Sequence, residues 1–154
     1  MVQIRSLDLT DDSLCERFLT LQKQGFDSEV SRVGVPLPPF HDDSEALRAS
    51  EEVFLGAFGP ELMGAVAYLR TGPVVDLRRL FIGEGYRRLG LARTLIQAVI
   101  EAEGDANRVT VETTVSNTPA VALYEGLGFR QAGRYELISE VWLVCFVKTL
   151  REVS

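Results

Sequence analysis

The chain has 154 residues, of which 46% are hydrophobic and 25% charged, so it suits one compact domain, residues 1–154, with a single core. Its formal net charge of −6 argues against a general nucleic-acid-binding protein, because such proteins present a basic face. The sequence shows neither the roughly 20-residue apolar run of a transmembrane helix nor a secretory signal, so we expect a cytoplasmic protein without membrane or nucleic-acid partners.

The first third of the chain predicts a strand, a helix and a long loop. The alternation in VQIRSL, residues 2–7, is typical of a strand, and Asp11 or Asp12 can cap a helix over residues 13–25. Residues 27–43 hold three prolines and a glycine, which predicts a loop leading into a short helix. Long ordered loops often cover a site, but a mobile surface connection fits this segment equally well.

A hairpin and a further strand follow in the sequence. The hairpin strands cover residues 52–58 and 62–70, and Gly59 and Pro60 form the turn. The next strand covers residues 74–82, and its apolar positions change from odd-numbered to even-numbered residues. A β-bulge would produce such a change of phase.

The last part of the chain alternates strands and helices. Residues 91–103 predict an amphipathic helix, RVTVETTV a strand, and the segment from Asn117 to Leu127 a second capped helix. GFRQAGRYE and VWLVCFVKTL then predict two closing strands. We expect an α/β (α+β) fold with about four helices and a central, mixed, largely antiparallel sheet of about seven strands. One right-handed parallel crossover would run through the helix at 91–103.

Two cysteines and one histidine limit the redox and metal chemistry. Cys15 lies in a helical pattern and Cys145 in an apolar strand pattern, and both are expected to stay reduced in a cytoplasm. His41 either lines a pocket or lies on exposed surface. Because no Cys/His cluster has metal-ligand spacing, we expect no metal site. Neither cysteine lies in a nucleophile motif, so no acyl-enzyme is expected.

The segment GEGYRRLGLA, residues 83–92, precedes a helix and offers no Ser, Thr, Asp or Asn to cap it. The first four N–H groups of a helix have no internal partner, and together with the helix dipole they attract an anion. Residues 78–93 carry five arginines and one acid, a net charge of +4. We interpret the segment as a phosphate site. The competing interpretation is a solvent-capped helix start with solubilising arginines.

Neither common nucleotide motif fits this segment, because the dinucleotide fingerprint needs glycine at Arg88 and the Walker loop needs lysine at Leu91. RRLGLA does resemble the pyrophosphate loop of the GCN5-related N-acetyltransferase (GNAT) superfamily, which reads Gln or Arg, two variable residues, Gly, one variable residue, and Gly or Ala. LRRLFIGEGY upstream and SNTPAVALYEGLGF downstream are similar to the strand and helix motifs of the same family. The three motifs cover residues 74–130, and the predicted element order fits the family over nearly the whole chain.

The resemblance implies a GNAT-like acyl-CoA N-acyltransferase fold that binds acetyl-CoA. Backbone amides would hold the pyrophosphate, reinforced by the arginine side chains; these amides belong to Arg88, Leu89, Gly90, Ala92 and Arg93. The pantetheine arm would lie along Leu80 and Ile82, and Leu80 or Phe81 would donate an N–H group to the acetyl oxygen. Asn117 matches the cofactor-contacting asparagine of the family, a role compatible with a helix cap. The implied cofactor residues are Leu80, Phe81, Ile82, Arg87, Arg88, Leu89, Gly90, Leu91, Ala92, Arg93, Asn117 and Tyr124.

The resemblance also implies catalytic residues. Tyr124 matches the tyrosine that often protonates the departing thiolate, and an ordinary packed tyrosine is the alternative. The acceptor amine must lose a proton, and three carboxylates are candidates for the base. Asp76 stands where some members carry a catalytic glutamate, Glu112 lies on the following strand, and Glu84 lies beside the loop. Each of the three can instead be a solvated surface charge.

The expected activity is direct transfer of acetyl from acetyl-CoA to a primary amine of a small molecule or peptide. The acidic remainder of the chain favours a cationic acceptor, which residues 26–45 and 130–140 would select. The alternatives are a non-catalytic acyl-CoA-binding sensor or regulatory module, and a nucleotide-phosphate binder outside this family. The oligomeric state stays open between a monomer and a homodimer, because the last strands of such folds often pair into dimers.

Overall fold

The strands and helices follow the predicted order. The computed structural model describes residues 2–34 and 43–151, and within them it contains seven strands, four α-helices and one 3₁₀ turn at Glu84–Tyr86. The strands are β1 (Gln3–Ser6), β2 (Val53–Phe58), β3 (Leu62–Thr71), β4 (Val74–Ile82), β5 (Arg108–Thr114), β6 (Arg130–Ile138) and β7 (Val141–Thr149). The helices are α1 (Asp12–Val33), α2 (Ser44–Ala49), α3 (Leu91–Ala102) and α4 (Thr118–Gly126).

One sheet contains all the strands of the described residues, in the order β1-β2-β3-β4-β5-β7-β6. Neighbouring strands are antiparallel except for β4 and β5, which are parallel and connected through α3. The expected mixed, largely antiparallel sheet with four helices is therefore confirmed. β7, whose sequence is apolar on both faces, lies between β5 and β6.

Two hydrophobic cores cover opposite faces of this sheet. Alternate residues of β3 divide between them, with Val66 in the core beneath α3 and α4 and Ala67 in the core beneath α1 and α2. α3 contributes Leu95 and Val99 to the first core, and α1 contributes Phe18 to the second. The strands in the second core are β2, β3 and β4, so the α1-side face of β5, β7 and β6 lies outside it.

The phase change in β4 is the predicted bulge. In the pairing with β3, Leu77 and Arg79 lie opposite the consecutive residues Tyr68 and Ala67. Arg78 is therefore the extra residue, and the side chains that follow it exchange faces.

A gap opens between β4 and β5. The two strands pair only from their first residues up to Asp76 and Thr110. Beyond these residues β4 continues to pair with β3, and β5 with β7. The strands therefore diverge towards Ile82 and Thr114, and within residues 2–34 and 43–151 no strand pairs with the edges that face the gap. This divergence positions the site described below.

α1 is longer than the sequence predicted. The helix expected over residues 13–25 runs from Asp12 to Val33, so the prediction of a loop over residues 27–43 was wrong up to residue 33. Gly34 ends the helix in the left-handed conformation, with φ of 81°. His41 and the three prolines of this segment lie outside the described residues.

Two contacts, one with a distant strand and one within the helix, explain the extension of α1. Gly25 does not interrupt the helix because the absent side chain permits close packing on β4, where a Cβ would overlap the Phe81 ring. Glu29 and Arg32 form an ion pair one turn apart, at 3.0 Å. None of the helices in residues 2–34 and 43–151 is long and apolar enough to cross a bilayer.

Candidate active site

The segment between β4 and α3 forms a helix start without a side-chain cap. Gly90 is the N-cap residue of α3, has a left-handed φ of 74°, and provides no side-chain hydrogen bond to the helix. Arg88, two residues earlier, also has a positive φ, of 65°. Such conformations turn successive backbone N–H groups towards one side and form a concavity that binds anions. The helix dipole adds to this attraction, so the segment is suited to a phosphate group.

The arginines of segment 78–93 do not form one cluster. Arg78 pairs with Asp76 at 2.6 Å, and Arg79 pairs with Glu52 at 2.8 Å, so both contribute to contacts on the sheet. Only part of the positive charge of residues 78–93 therefore lies at the start of α3. The arginines exposed at the loop itself are Arg87, Arg88 and Arg93.

The backbone of β4 directs two amides into the gap. The Gly83 N–H group donates to the Met63 carbonyl of β3 at 2.8 Å, and the pairing with β3 is regular from Ile82 back to Leu80. Alternate residues of a strand direct their N–H groups to the same neighbour. Phe81 therefore faces β3, while Leu80 and Ile82 face the gap. Of the two amides expected near an acetyl oxygen, this geometry favours Leu80 over Phe81.

Asn117 begins α4 and also contacts α1. Its Oδ1 accepts a hydrogen bond from the Ala120 N–H group at 3.2 Å, so its interpretation as a helix cap is confirmed. Its Nδ2 donates to Glu29 of α1 at 3.0 Å. An amide nitrogen carries two hydrogens, so one donor of Asn117 remains for a ligand.

Tyr124 lies in the core beneath α4, where it is 5% exposed. Its ring packs against those of Phe129 and Phe146, with centroids 5.6 and 5.7 Å away. Burial raises the pKa of Tyr124 to about 12. The hydroxyl group keeps its proton at neutral pH, as a tyrosine with the ordinary pKa also would, so this shift fits a packed tyrosine as well as a proton donor.

Asp76 lies at the closed end of the gap, and both of its oxygens are engaged. Thr110 donates a hydroxyl hydrogen bond to Oδ1 at 2.7 Å, and Arg78 Nε lies 2.6 Å from Oδ2. An entering amine would have to displace one of these two contacts to reach the carboxylate.

Glu112 is an exposed residue of β5, beyond the last pair with β4 and therefore beside the gap. Its carboxylate accepts a hydrogen bond from the Tyr135 hydroxyl at 2.9 Å, and the Cys145 thiol lies 3.7 Å away. Burial raises the pKa of Tyr135 to about 12, and the neighbouring Glu112 contributes to this shift. Burial, and after it the charge of Glu112, also raises the pKa of Cys145. Both neighbours therefore stay protonated around the carboxylate.

Glu84 lines a cavity of about 470 Å³ between α1 and the segment that follows β4. Asp76 pairs with Thr110, two residues before Glu112, and both carboxylates help to raise the pKa of Cys145, so these two candidates lie near each other. Glu84 follows the opposite end of β4 and belongs to this cavity instead. Residues 2–34 and 43–151 contain no group of three acidic, Cys or His side chains that could hold a metal ion. The residues lining the cavity are Gln24, Asp27, Ser28, Ser31, Arg32, Glu84 and Arg87.

The model of the acetyltransferase (GNAT) family matches residues 15–129. The chain belongs to this GNAT family. The resemblance seen in the sequence motifs is therefore confirmed. The solved structures that resemble this chain include the ribosomal-protein-S18-alanine N-acetyltransferase of Escherichia coli. That enzyme has a TM-score of 0.72 at 19% identity, covering 100% of this chain and 97% of its own, which shows the shared fold.

Curated relatives of this GNAT chain match it over part of their length. The UPF0157 protein YqkA of Bacillus subtilis is 29% identical over 131 residues, which are 84% of this chain and 38% of that protein. The N-alpha-acetyltransferase of Saccharolobus solfataricus is 41% identical over 66 residues, which are 41% of this chain and 38% of that protein. The chain thus spans little more than a third of the length of either relative.

Two residues of this GNAT site carried no signal in the sequence. Glu29 fell within the expected loop, and its contact with Asn117 depends on the extension of α1. Tyr135 lay in an ordinary strand pattern, and its contact with Glu112 depends on the strand order β5-β7-β6. Only a prediction of strand order and register could have found the second contact.

Proposed function

We propose that this chain binds acetyl-CoA in the gap between β4 and β5 and transfers its acetyl group directly to a primary amine, preferentially the N-terminal α-amine of a peptide. The observation that carries the proposal is the divergence of the two strands after Asp76 and Thr110, together with the uncapped start of α3, which residues 83–90 connect to the open end of β4. An extended ligand that hydrogen-bonds a strand edge and ends in a phosphate fits this combination.

The residues present suit acetyl-CoA. The N–H groups of Leu80 and Ile82 would bind the pantetheine arm, and the second N–H of Asn117 would bind one of its carbonyl oxygens. The diphosphate would be held by main-chain N–H groups and by exposed guanidinium groups at the start of α3. The residues proposed to hold the diphosphate are Arg87, Arg88, Leu89, Gly90, Leu91, Ala92 and Arg93.

The proposed reaction has one acceptor-side base and one donor-side acid. Acetyl-CoA supplies an activated thioester. Glu112 accepts a proton from the entering ammonium group, directly or through a water molecule, so that the amine nitrogen can form a bond to the acetyl carbon. The Leu80 N–H group donates to the acetyl oxygen as negative charge develops there, a contribution of about 3 kcal/mol.

As the carbon–sulfur bond breaks, Tyr124 donates its hydroxyl proton to the sulfur. The acceptor nitrogen loses a second proton after the new bond forms, and a proton from solvent restores the tyrosine. The products are the N-acetylated amine and free coenzyme A, with one net proton released per turnover. A hydroxyl with a pKa raised to about 12 is protonated for each cycle.

Glu112 is preferred as the base over the two other carboxylates. It is exposed beside the gap, and its hydrogen-bond partners are a phenol and a thiol rather than a cation. Asp76 is bound by Arg78 at the closed end, and Glu84 lines a cavity next to α1. A carboxylate beside the gap and free of a cationic partner is suited to receive a proton from an ammonium group.

Two observations support a peptide α-amine as the acceptor. Relatives that match half or less of this chain carry the name N-alpha-acetyltransferase. On the α1-side face of β5, β7 and β6, outside the second core, Glu112 is exposed, and we place an extended acceptor beside it. Selection of the acceptor by segments 26–45 and 130–140, and a homodimer through the last strands, stay predictions.

Thiol release with a panel of acceptors tests this function. We expect turnover with peptides that have a free N-terminus, and little with the same peptides when the N-terminus is blocked and a lysine is present. Preferred turnover of polyamines or aminoglycosides would contradict the peptide acceptor. Coenzyme A binding without turnover on any amine would favour a sensor, and displacement of coenzyme A by ATP would favour a nucleotide-phosphate binder.

A further inference from the structure

Glu29 connects three elements at the open end of the gap. Its carboxylate accepts a hydrogen bond from the hydroxyl group of Thr114, the last residue of β5, and another from Asn117 Nδ2 at 3.0 Å. Arg32, one turn further along α1, donates to the same carboxylate at 3.0 Å. The Glu29 side chain is 20% exposed. α1, β5 and α4 therefore meet at one largely enclosed carboxylate.

We propose that Glu29 is a positioning residue that sets the orientation of the Asn117 amide for cofactor binding, an inference that rests on the proposed function. An ionised carboxylate only accepts hydrogen bonds, so the amide must turn its NH₂ group towards Glu29. The amide oxygen then accepts from the Ala120 N–H group, at 3.2 Å. These two contacts fix the direction of the second Nδ2 hydrogen, which is the donor assigned to the cofactor.

Without Glu29 the amide of Asn117 would lose this constraint. The carboxylate contact makes the flipped amide unfavourable, because that orientation would bring Oδ1 against a negative charge. Removal of the carboxylate leaves a single contact, to Ala120, and the NH₂ group is then free to bond water instead of the ligand. The expected consequence is weaker cofactor binding rather than slower chemistry.

A purely structural role for Glu29 makes a different prediction. A tie between α1 and β5 would support the fold, and its loss would weaken binding whether or not Asn117 is present. A positioning residue acts only through Asn117. A double-mutant cycle between Glu29 and Asn117 therefore separates the two roles.

The experiment measures the Kd of coenzyme A by calorimetry, together with kcat and the KM of acetyl-CoA, on the full chain. We expect Glu29→Ala to raise Kd and KM about tenfold, the value of one hydrogen bond, while kcat changes less than about threefold. Glu29→Gln should stay within about threefold, because its amide oxygen can still accept from Asn117 while its NH₂ group donates to Thr114. Glu16→Ala, at an exposed position of the same helix, is the matched control and should leave all three values unchanged.

The cycle gives the decisive result. Asn117→Ala alone should raise the Kd of coenzyme A, and adding Glu29→Ala should change it less than about twofold further. An undiminished effect of Glu29→Ala in the Asn117→Ala background would overturn the inference, and so would an unchanged Kd of Glu29→Ala when the wild type binds. A wild-type chain that binds no coenzyme A would overturn the proposed function, and the inference with it. Thermal unfolding of every variant checks that the fold is retained.

Discussion

The Tyr135 hydroxyl donates a hydrogen bond to Glu112 Oε1 at 2.9 Å, although the two residues lie on β6 and β5 with β7 between them. The residue opposite Cys145 of β7 on β6 is Gly133, which has no side chain to obstruct the tyrosine ring. The contact between Tyr135 and Glu112 thus spans a whole strand and holds the carboxylate of the proposed base over the β7 side of β5. The same hydrogen bond contributes to the raised pKa of Tyr135.

Tyr135→Phe should lower kcat about tenfold and leave the KM of acetyl-CoA unchanged. A hydrogen bond to a charged group contributes about 1.5 kcal/mol, which corresponds to this factor if the contact orients the base. Tyr68→Phe is the matched control, because Tyr68 donates to Glu103 at 3.3 Å and Glu103 follows α3, outside the proposed reaction site. Equal losses of kcat in the two variants would show that the tyrosine supports only the fold. Steady-state kinetics with one peptide acceptor supplies the measurement.

Glu112→Gln should reduce kcat by about a hundredfold or more, because a general base typically contributes at least that factor. Asp76→Asn and Glu84→Gln change the other two candidates by the same chemistry and should retain at least about a tenth of the wild-type kcat. The ratio of the three kcat values at one pH is the measurement. A loss confined to Asp76→Asn would move the base to the closed end of the gap.

Gly90→Ala should weaken coenzyme A binding, and Gly72→Ala should not. Both glycines have positive φ, 74° and 58°, and neither would bring a Cβ within 4 Å of another residue. Each substitution should therefore cost about 1 kcal/mol of the free energy of unfolding through the left-handed backbone alone. Only the methyl group at Gly90 would project into the proposed diphosphate site. Calorimetric titration measures the Kd of coenzyme A, and urea unfolding measures the free energy of unfolding. Equal Kd values for the two variants would contradict the proposed diphosphate site.

Tyr124→Phe should remove part of the loss of stability at alkaline pH. Burial raises the pKa of Tyr124 from its ordinary 10.0 to about 12 in the folded chain. The folded chain holds this proton more tightly than the unfolded chain does. Its contribution to the free energy of unfolding is therefore complete below pH 10 and is lost as the pH rises towards 12. Between pH 9 and pH 11 the free energy of unfolding should fall by about 1.4 kcal/mol more in the wild type than in the variant. Urea unfolding at the two pH values measures this, and parallel losses would show that the phenol is not buried as described.

The sequence predicted the part of the fold that depends on local pattern. The uncapped start of α3 at Gly90 and the bulge in β4 could both be predicted, because turn chemistry and the phase of apolar residues are local properties. The extension of α1 could not, because Gly25 is accommodated through its contact with Phe81 on a distant strand. The contacts that hold Glu112 and Asn117 likewise join residues far apart in the chain.

Binding of coenzyme A at the start of α3 can be tested by titrating the ¹⁵N-labelled chain with coenzyme A and following the backbone amide chemical shifts. We expect the largest shifts at the main-chain N–H groups of residues 88–93, with further shifts at Leu80 and Ile82, because these groups would donate to the diphosphate and the pantetheine arm. Shifts centred on the cavity between α1 and Glu84, with residues 88–93 unmoved at saturation, would contradict this binding site.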